Sequence, residues 1–264
     1  MGRVLHVGHQ YRYHRGYAEA RRGIEAGEIG QVFRADVTAT TWFRAQRYFE
    51  ASPWRSTWKM SGGGVLLSQA CHQVDAYLAV MGSPARVTAR AFRARHVAEV
   101  EDEIIILCEW DSGARGVVVA SLNDPVGADR IEWHGELGSI AAEGYELRRA
   151  RLETPAQVLS DSSKEEFPEL DVEWAPIDVL RTPSEWFDMI LDSHRDFASA
   201  ALEGRPSSCD ATEATRVIEF ANAAYLSAVR GEPVQVAKAA GRYAAVYRQL
   251  CDGTTAISEM GARP

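Results

Sequence analysis

Between residues 85 and 143 the chain alternates short apolar runs with tight turns, and this succession constrains the fold more than any other feature. Residues 85–95, 102–110, 114–122, 129–135 and 138–143 read as strands. Asp111-Ser112-Gly113-Ala114 and Gly135-Glu136-Leu137-Gly138 read as hairpin turns. Strands joined this closely pair antiparallel, because a parallel neighbour needs a crossover of about a dozen residues or more. Helical spacing marks residues 17–26, 65–81, 184–202, 211–229 and 237–250. The predicted class is α+β: a large, mostly antiparallel sheet with helices packed on one face. The other sheet face is apolar and has no evident cover, which predicts a homo-oligomer paired through that face.

The remaining segments complete the outline. Residues 3–9 read as a short buried strand carrying Val4, Leu5 and Val7, and residues 31–43 as a second strand. Residues 48–64 read as a loop, and residues 154–183 as a long acidic surface loop. Ser184 is the N-cap candidate of its helix, and the tail from residue 252 is expected to fray.

Composition removes several classes of function. The net charge of −8 comes without basic stripes, which argues against a nucleic-acid surface. No run reaches the ~18 apolar residues of a membrane span, and the first apolar patch is too short for a secretory signal. Cys71, Cys108, Cys209 and Cys251 are scattered without a C-x-x-C pair, so a reducing cytoplasm is expected. A metal reading is rejected from the sequence. Cys71 and His72 are sequence neighbours whose side chains diverge on a helix, and His9 and His14 have no third ligand nearby.

The candidate site is the run from Trp54 to Gly62-Gly63-Gly64, followed by Ser68-Gln69-Ala70-Cys71-His72-Gln73-Val74-Asp75. Glycines let backbone approach something closely, and the following helix carries one histidine. Ser68 lies at i−4 from His72, so a continuous helix puts both on one face. Gln69 could hold substrate hydroxyls or satisfy backbone. Asp75 could hold His72 or a structural partner. Lys59, beside the glycine loop, reads as a solvated loop residue or as a basic group facing the site. No strand is followed by G-x-G-x-x-G, so no dinucleotide-binding turn is visible.

Taken in order, several pieces resemble the glucose–fructose oxidoreductase/inositol dehydrogenase (Gfo/Idh/MocA) family. They are Gly8-His9-Gln10-Tyr11-Arg12-Tyr13, Ala26-Gly27-Glu28-Ile29-Gly30, Trp54-Arg55, Gly62-Gly63-Gly64, His72 with Asp75, Gly82-Ser83-Pro84, Val100-Glu101-Asp102, Gly135 with Gly138, and Tyr225-Leu226-Ser227-Ala228. The resemblance spans roughly residues 3–236. It implies a substrate domain that follows a Rossmann domain. Residues 1–14 would then be a remnant of the dinucleotide-binding domain, beginning at its last strand. Residues 15–236 would be the substrate and oligomerisation domain, and 237–264 a C-terminal helix and tail.

The resemblance implies NAD or NADP as cofactor and a sugar, polyol or related hydroxy compound as substrate. His72 matches the family's acid/base histidine, and Ser68 stands where the family often has Asp or Asn. Arg12 and Tyr13 match a strand lining the cleft floor, with Gln69 toward the substrate. Trp54, Arg55 and Tyr225 match positions near the cofactor. Each has a structural alternative in loop anchoring, ion pairing or helix packing. The glycine-rich turn and the family's Glu-Lys-Pro stretch are absent from these residues, so this chain alone is not expected to hold the dinucleotide. The expected source of a cofactor domain is another polypeptide or upstream sequence. The alternative is a catalytically inactive member kept for dimerisation or ligand binding.

Overall fold

The computed structural model describes residues 3–179 and 184–257. Its centre is a mixed sheet built from β1 (Val32–Ala39), β2 (Arg86–Phe92), β3 (Glu103–Glu109), β4 (Arg115–Ser121), β5 (Asp129–Gly135), β6 (Gly138–Glu143), β7 (Glu146–Arg151), β8 (Ala175–Pro176) and β9 (Val234–Gln235). The spatial order is β8-β7-β6-β5-β1-β4-β3-β2-β9. Pairing is antiparallel throughout except for β1 against β4, where Val37 lies beside Val118. β1 comes from far upstream and is inserted between β5 and β4, so it is free to run parallel.

Period-two patterning decides which face is buried. On β3, Ile104, Ile106 and Cys108 are buried while Ile105 and Leu107 are exposed. The β3–β4 hairpin closes at Gly113, whose φ of 87° favours glycine, and Trp110 N–H donates to Ala114 O at 3.0 Å.

The helices are α1 (Arg15–Glu25), α2 (Arg47–Glu50), α3 (Trp58–Ser61), α4 (Val65–Ser68), α5 (Cys71–Met81), α6 (Ala156–Ser162), α7 (Glu185–Glu203), α8 (Ala211–Arg230) and α9 (Ala239–Cys251). α8 lies across β2, where Ala89 N–H donates to Ser227 Oγ at 2.9 Å. α5 meets β1 through Tyr77, whose hydroxyl donates to Ala35 O at 2.8 Å. Phe220, Tyr225 and Leu226 of α8 are fully buried, and each such side chain contributes about 1.5–3 kcal/mol. α9 adds Tyr243, Val246 and Leu250 to the same core.

The open face is mixed in character. Ile105 and Leu107 with Val117 and Val119 form an apolar centre, since these are the side chains that alternate away from the helices. Charged side chains flank it, including the pairs Arg34–Asp36 at 3.0 Å and Arg86–Glu109 at 2.8 Å.

Several expectations are corrected. Residues 3–9 join no sheet; Val7 N–H donates to Cys209 O at 2.9 Å, and Ser207 Oγ donates to Leu5 O at 3.2 Å, so the α7–α8 connection satisfies that backbone instead. The loop at 48–64 contains α3 and a 3-10 turn at Pro53–Ser56. The loop at 154–183 contains α6 and β8, while residues 180–183 lie outside the described residues. Ser184 occupies the N-cap position of α7, but its side chain makes no capping hydrogen bond. The tail is tied back at Thr254, whose N–H donates to Gln249 O at 2.9 Å, and Ile257 is buried; residues 258–264 lie outside the described residues.

Candidate active site

The expected single helix over residues 65–81 is two helices, α4 and α5, separated at Gln69 and Ala70. A residue distant in sequence anchors the start of α4. Glu101 accepts Gly64 N–H at 2.8 Å and Leu66 N–H at 3.1 Å through its carboxylate, and Val65 N–H donates to its carbonyl at 3.0 Å. These bonds fix the first turn of α4. Gln69 then leaves helical geometry, with φ of −132°. Its amide oxygen accepts from Arg44 at 3.0 Å and its amide N–H donates to Tyr48 OH at 3.2 Å.

Two glycines of the loop, Gly63 and Gly64, approach other protein groups closely. A Cβ on Gly64 would collide with the Glu101 carbonyl oxygen, and one on Gly63 would collide with the Tyr225 hydroxyl. Tyr225 is 0% exposed, donates to Glu101 at 2.9 Å and packs edge-on to Trp58. In this position Tyr225 clamps the glycine loop from behind, which is the packing alternative to its expected place near the cofactor. Burial pushes the Glu101 carboxyl up to about 7 against the opposing pull of its Leu66, Tyr225 and Gly64 donors.

His72 sits in the first turn of α5. Tyr11 stacks on its ring with centroids 5.9 Å apart, and His9 meets it edge-on at 5.7 Å. Burial, followed by the charge of His9, lowers His72 to about 4, so it is neutral near pH 7. Its buried Nδ1 has no hydrogen-bond partner among the described residues. No hydrogen bond joins it to Ser68 among those residues, because the break at residues 69–70 removes the expected helical register.

Arg12 is committed to protein. Its Nε and Nη2 donate to Asp75 at 2.6 and 2.8 Å, and its Nη1 donates to Ser208 O at 2.7 Å and Glu213 at 3.2 Å. Asp75 is thereby a structural anchor for Arg12, and Arg12, expected to line the cleft floor toward the substrate, forms a buried tie between the Gln10–Tyr13 turn, α5 and α8. Tyr13 points to α7, where its hydroxyl donates to Asp196 at 2.9 Å.

Trp54 and Arg55 lie on the 3-10 turn. Trp54 is 47% exposed, and the Arg55 guanidinium sits 4.5 Å from the Tyr48 ring centroid and 5.2 Å from that of Trp54. Tyr48 therefore gathers Gln69, Arg44, Arg55 and Trp54 into one polar and aromatic patch. Tyr48 and Arg44 were missed by sequence reasoning, and no local spacing signals them.

A second omission is Asp129. It accepts from Tyr11 OH at 3.1 Å, Tyr17 OH at 3.2 Å and Gln73 at 3.1 Å, fixing the ring that stacks on His72. The metal argument from sequence is also overturned in its premise: the fold brings His9 against Cys71 and His72.

The structure thus sets a neutral histidine and a polar–aromatic patch among the helices and loops beside an open sheet. Residues 17–141 match the model of the GFO/IDH/MocA C-terminal domain. The chain is similar to scyllo-inositol 2-dehydrogenase (NAD(+)) of Bacillus subtilis (strain 168), with 30% identity over 145 residues, or 53% of the chain and 40% of the relative. Its fold is similar to that of aldose-aldose oxidoreductase from Caulobacter crescentus, complexed with glycerol, at TM-score 0.70 and 21% identity, over 89% of this chain and 64% of that one. Levoglucosan dehydrogenase in complex with NADH and levoglucosan gives TM-score 0.71 and 22% identity, over 88% and 66%. The chain thus spans under half of the curated relative and about two thirds of these structures. Among the described residues no helix is long and apolar enough to cross a membrane.

Proposed function

We propose that this chain is the substrate side of an NAD(P)-dependent oxidoreductase acting on a CH–OH group of a sugar, polyol or related compound. The observation that carries the reading is His72, a neutral imidazole held by Tyr11 and left with an unpartnered nitrogen. Oxidation of an alcohol releases a hydride and a hydroxyl proton. A nicotinamide, when bound, supplies the hydride acceptor. His72 supplies the base for the proton, and Gln69, Tyr48 and Arg44 supply hydrogen bonds for hydroxyl groups.

The residues fit a dinucleotide on one side only. Trp54 offers an exposed ring and Arg55 a cation for phosphate or amide oxygens. Gly63 and Gly64 offer no pyrophosphate cradle, because Tyr225 and Glu101 already fill their approaches. We also infer that the apolar centre of the open face pairs with a second copy. The alternative, a catalytically silent ligand-binding domain, is favoured by the absence, among the described residues, of a hydrogen bond from Ser68 to His72.

The test is ligand-observed NMR of the chain with inositols, levoglucosan and simple aldoses, together with titration of NAD and NADP. Saturable binding of a polyol or sugar, weakened in Gln69→Ala, supports the reading. Failure of every candidate to bind overturns it. Tight dinucleotide binding by this chain alone would overturn the one-sided fit.

A further inference from the structure

We propose that His9, Cys71 and His72 form a binding site for one transition-metal ion of the zinc class. Two separate segments supply the donors. His9 precedes the Gln10–Tyr13 turn, and Cys71 and His72 open α5. One ligand atom from each residue lies within 4.8 Å of the other two. Bonds of about 2.0–2.3 Å to a tetrahedral ion require ligand atoms some 3.3–3.8 Å apart, so modest side-chain rotation closes the set.

The donors are unusually available. Nδ1 of His9 and Nδ1 of His72 are buried without a hydrogen-bond partner among the described residues. Leaving a buried polar atom unsatisfied is costly, and an ion gives this cluster a partner where the protein gives none. Packing has already ordered the cluster. Tyr11 stacks on His72, and Arg12 binds Asp75 one turn along α5, so the Asp75 charge is balanced by the guanidinium rather than left to a ligand.

The donor set also selects the ion. Two imidazoles and a thiolate suit zinc, cobalt or copper, whereas magnesium and calcium need oxygen. Three protein ligands leave a fourth tetrahedral position for water or a substrate oxygen. An ion held by Nδ1 of His72 occupies the nitrogen that the proposed proton transfer uses, so the metal-bound form is distinct from the form in which His72 acts as base, and the readout does not require turnover.

The experiment titrates cobalt(II) into the purified chain and follows absorption. One equivalent should give tetrahedral ligand-field bands and a thiolate-to-cobalt charge-transfer band, which zinc then displaces. Cys71→Ser should abolish the charge-transfer band. His9→Gln, checked for folding by circular dichroism, should weaken binding at least about tenfold, since loss of even an outer-shell partner commonly costs that much. No charge-transfer band in the wild type, or equal binding in both variants, overturns the proposal. Alkylation of the wild-type chain needs no variant: zinc should slow labelling of Cys71 and leave Cys251, another free and partly buried thiol, unchanged. Equal labelling of Cys71 with and without zinc overturns the site.

Discussion

Glu101 and His72 are buried titratable groups whose shifts run in opposite directions, and each leaves a distinct mark on stability. The Glu101 carboxyl rises from 4.5 to about 7, chiefly by burial. The folded state therefore holds its proton more tightly than the unfolded state. Its contribution is complete below about pH 4.5 and is lost as pH rises through about 7. His72 and His14 both fall from 6.5 to about 4, chiefly by burial. Their contribution is complete above about pH 6.5 and is lost as pH falls toward 4. Chemical denaturation across pH 4–8 should show both limbs. Glu101→Gln should flatten the alkaline limb and cost about 1–3 kcal/mol, because an amide nitrogen cannot accept from the Gly64 or Leu66 N–H. A pH profile unchanged by that substitution would remove Glu101 from the account. Gly64→Ala should be worse, at ~3 kcal/mol, since its Cβ meets the Glu101 backbone rather than a movable side chain.

At the scale of elements, the Arg12–Asp75 pair ties the Gln10–Tyr13 turn to α5. Both side chains are nearly inaccessible, at 6% and 1% exposure. Asp75→Asn leaves a buried guanidinium short of its counter-charge and should cost about 3–5 kcal/mol, read from the denaturation midpoint. The double change Arg12→Met with Asp75→Leu should recover much of that loss; a double variant as unstable as the single one would show that the charge pair is not the cause. Such ties explain what the sequence could reveal. The period-two pattern of Ile104, Ile106 and Cys108 is local, so β3 was legible. β7, with Arg148 and Arg149 between Leu147 and Ala150, breaks that pattern and was missed. The start of α4 is anchored by Glu101, far along the chain, and the Tyr11–Asp129 bond joins segments still farther apart. His72, Gln69 and the glycine loop were therefore found as residues, while their partners were not. The expected Ser68–His72 face required a continuous helix, and Gln69 leaves helical geometry between them.

At the scale of the molecule, the sheet face away from the helices is where association would occur. Its centre holds Ile105 at 41% and Leu107 at 43% exposure on β3, beside Val117 and Val119 of β4. Charges of both signs surround it, including Arg34 with Asp36 and Arg86 with Glu109. A two-fold pairing would bury the apolar strip against itself and let the mixed rim meet opposite charges. Wild-type protein should therefore sediment as a dimer or higher species. Leu107→Asp should shift it toward monomer, because two copies of a carboxylate would face each other in a dry centre. The same substitution should leave monomer stability nearly unchanged, since the side chain points away from the core and surface changes usually stay within about 0.5 kcal/mol. A wild-type monomer at high concentration would refute pairing through this face. An oligomer that survives both Leu107→Asp and Ile105→Asp would move the interface elsewhere on the molecule.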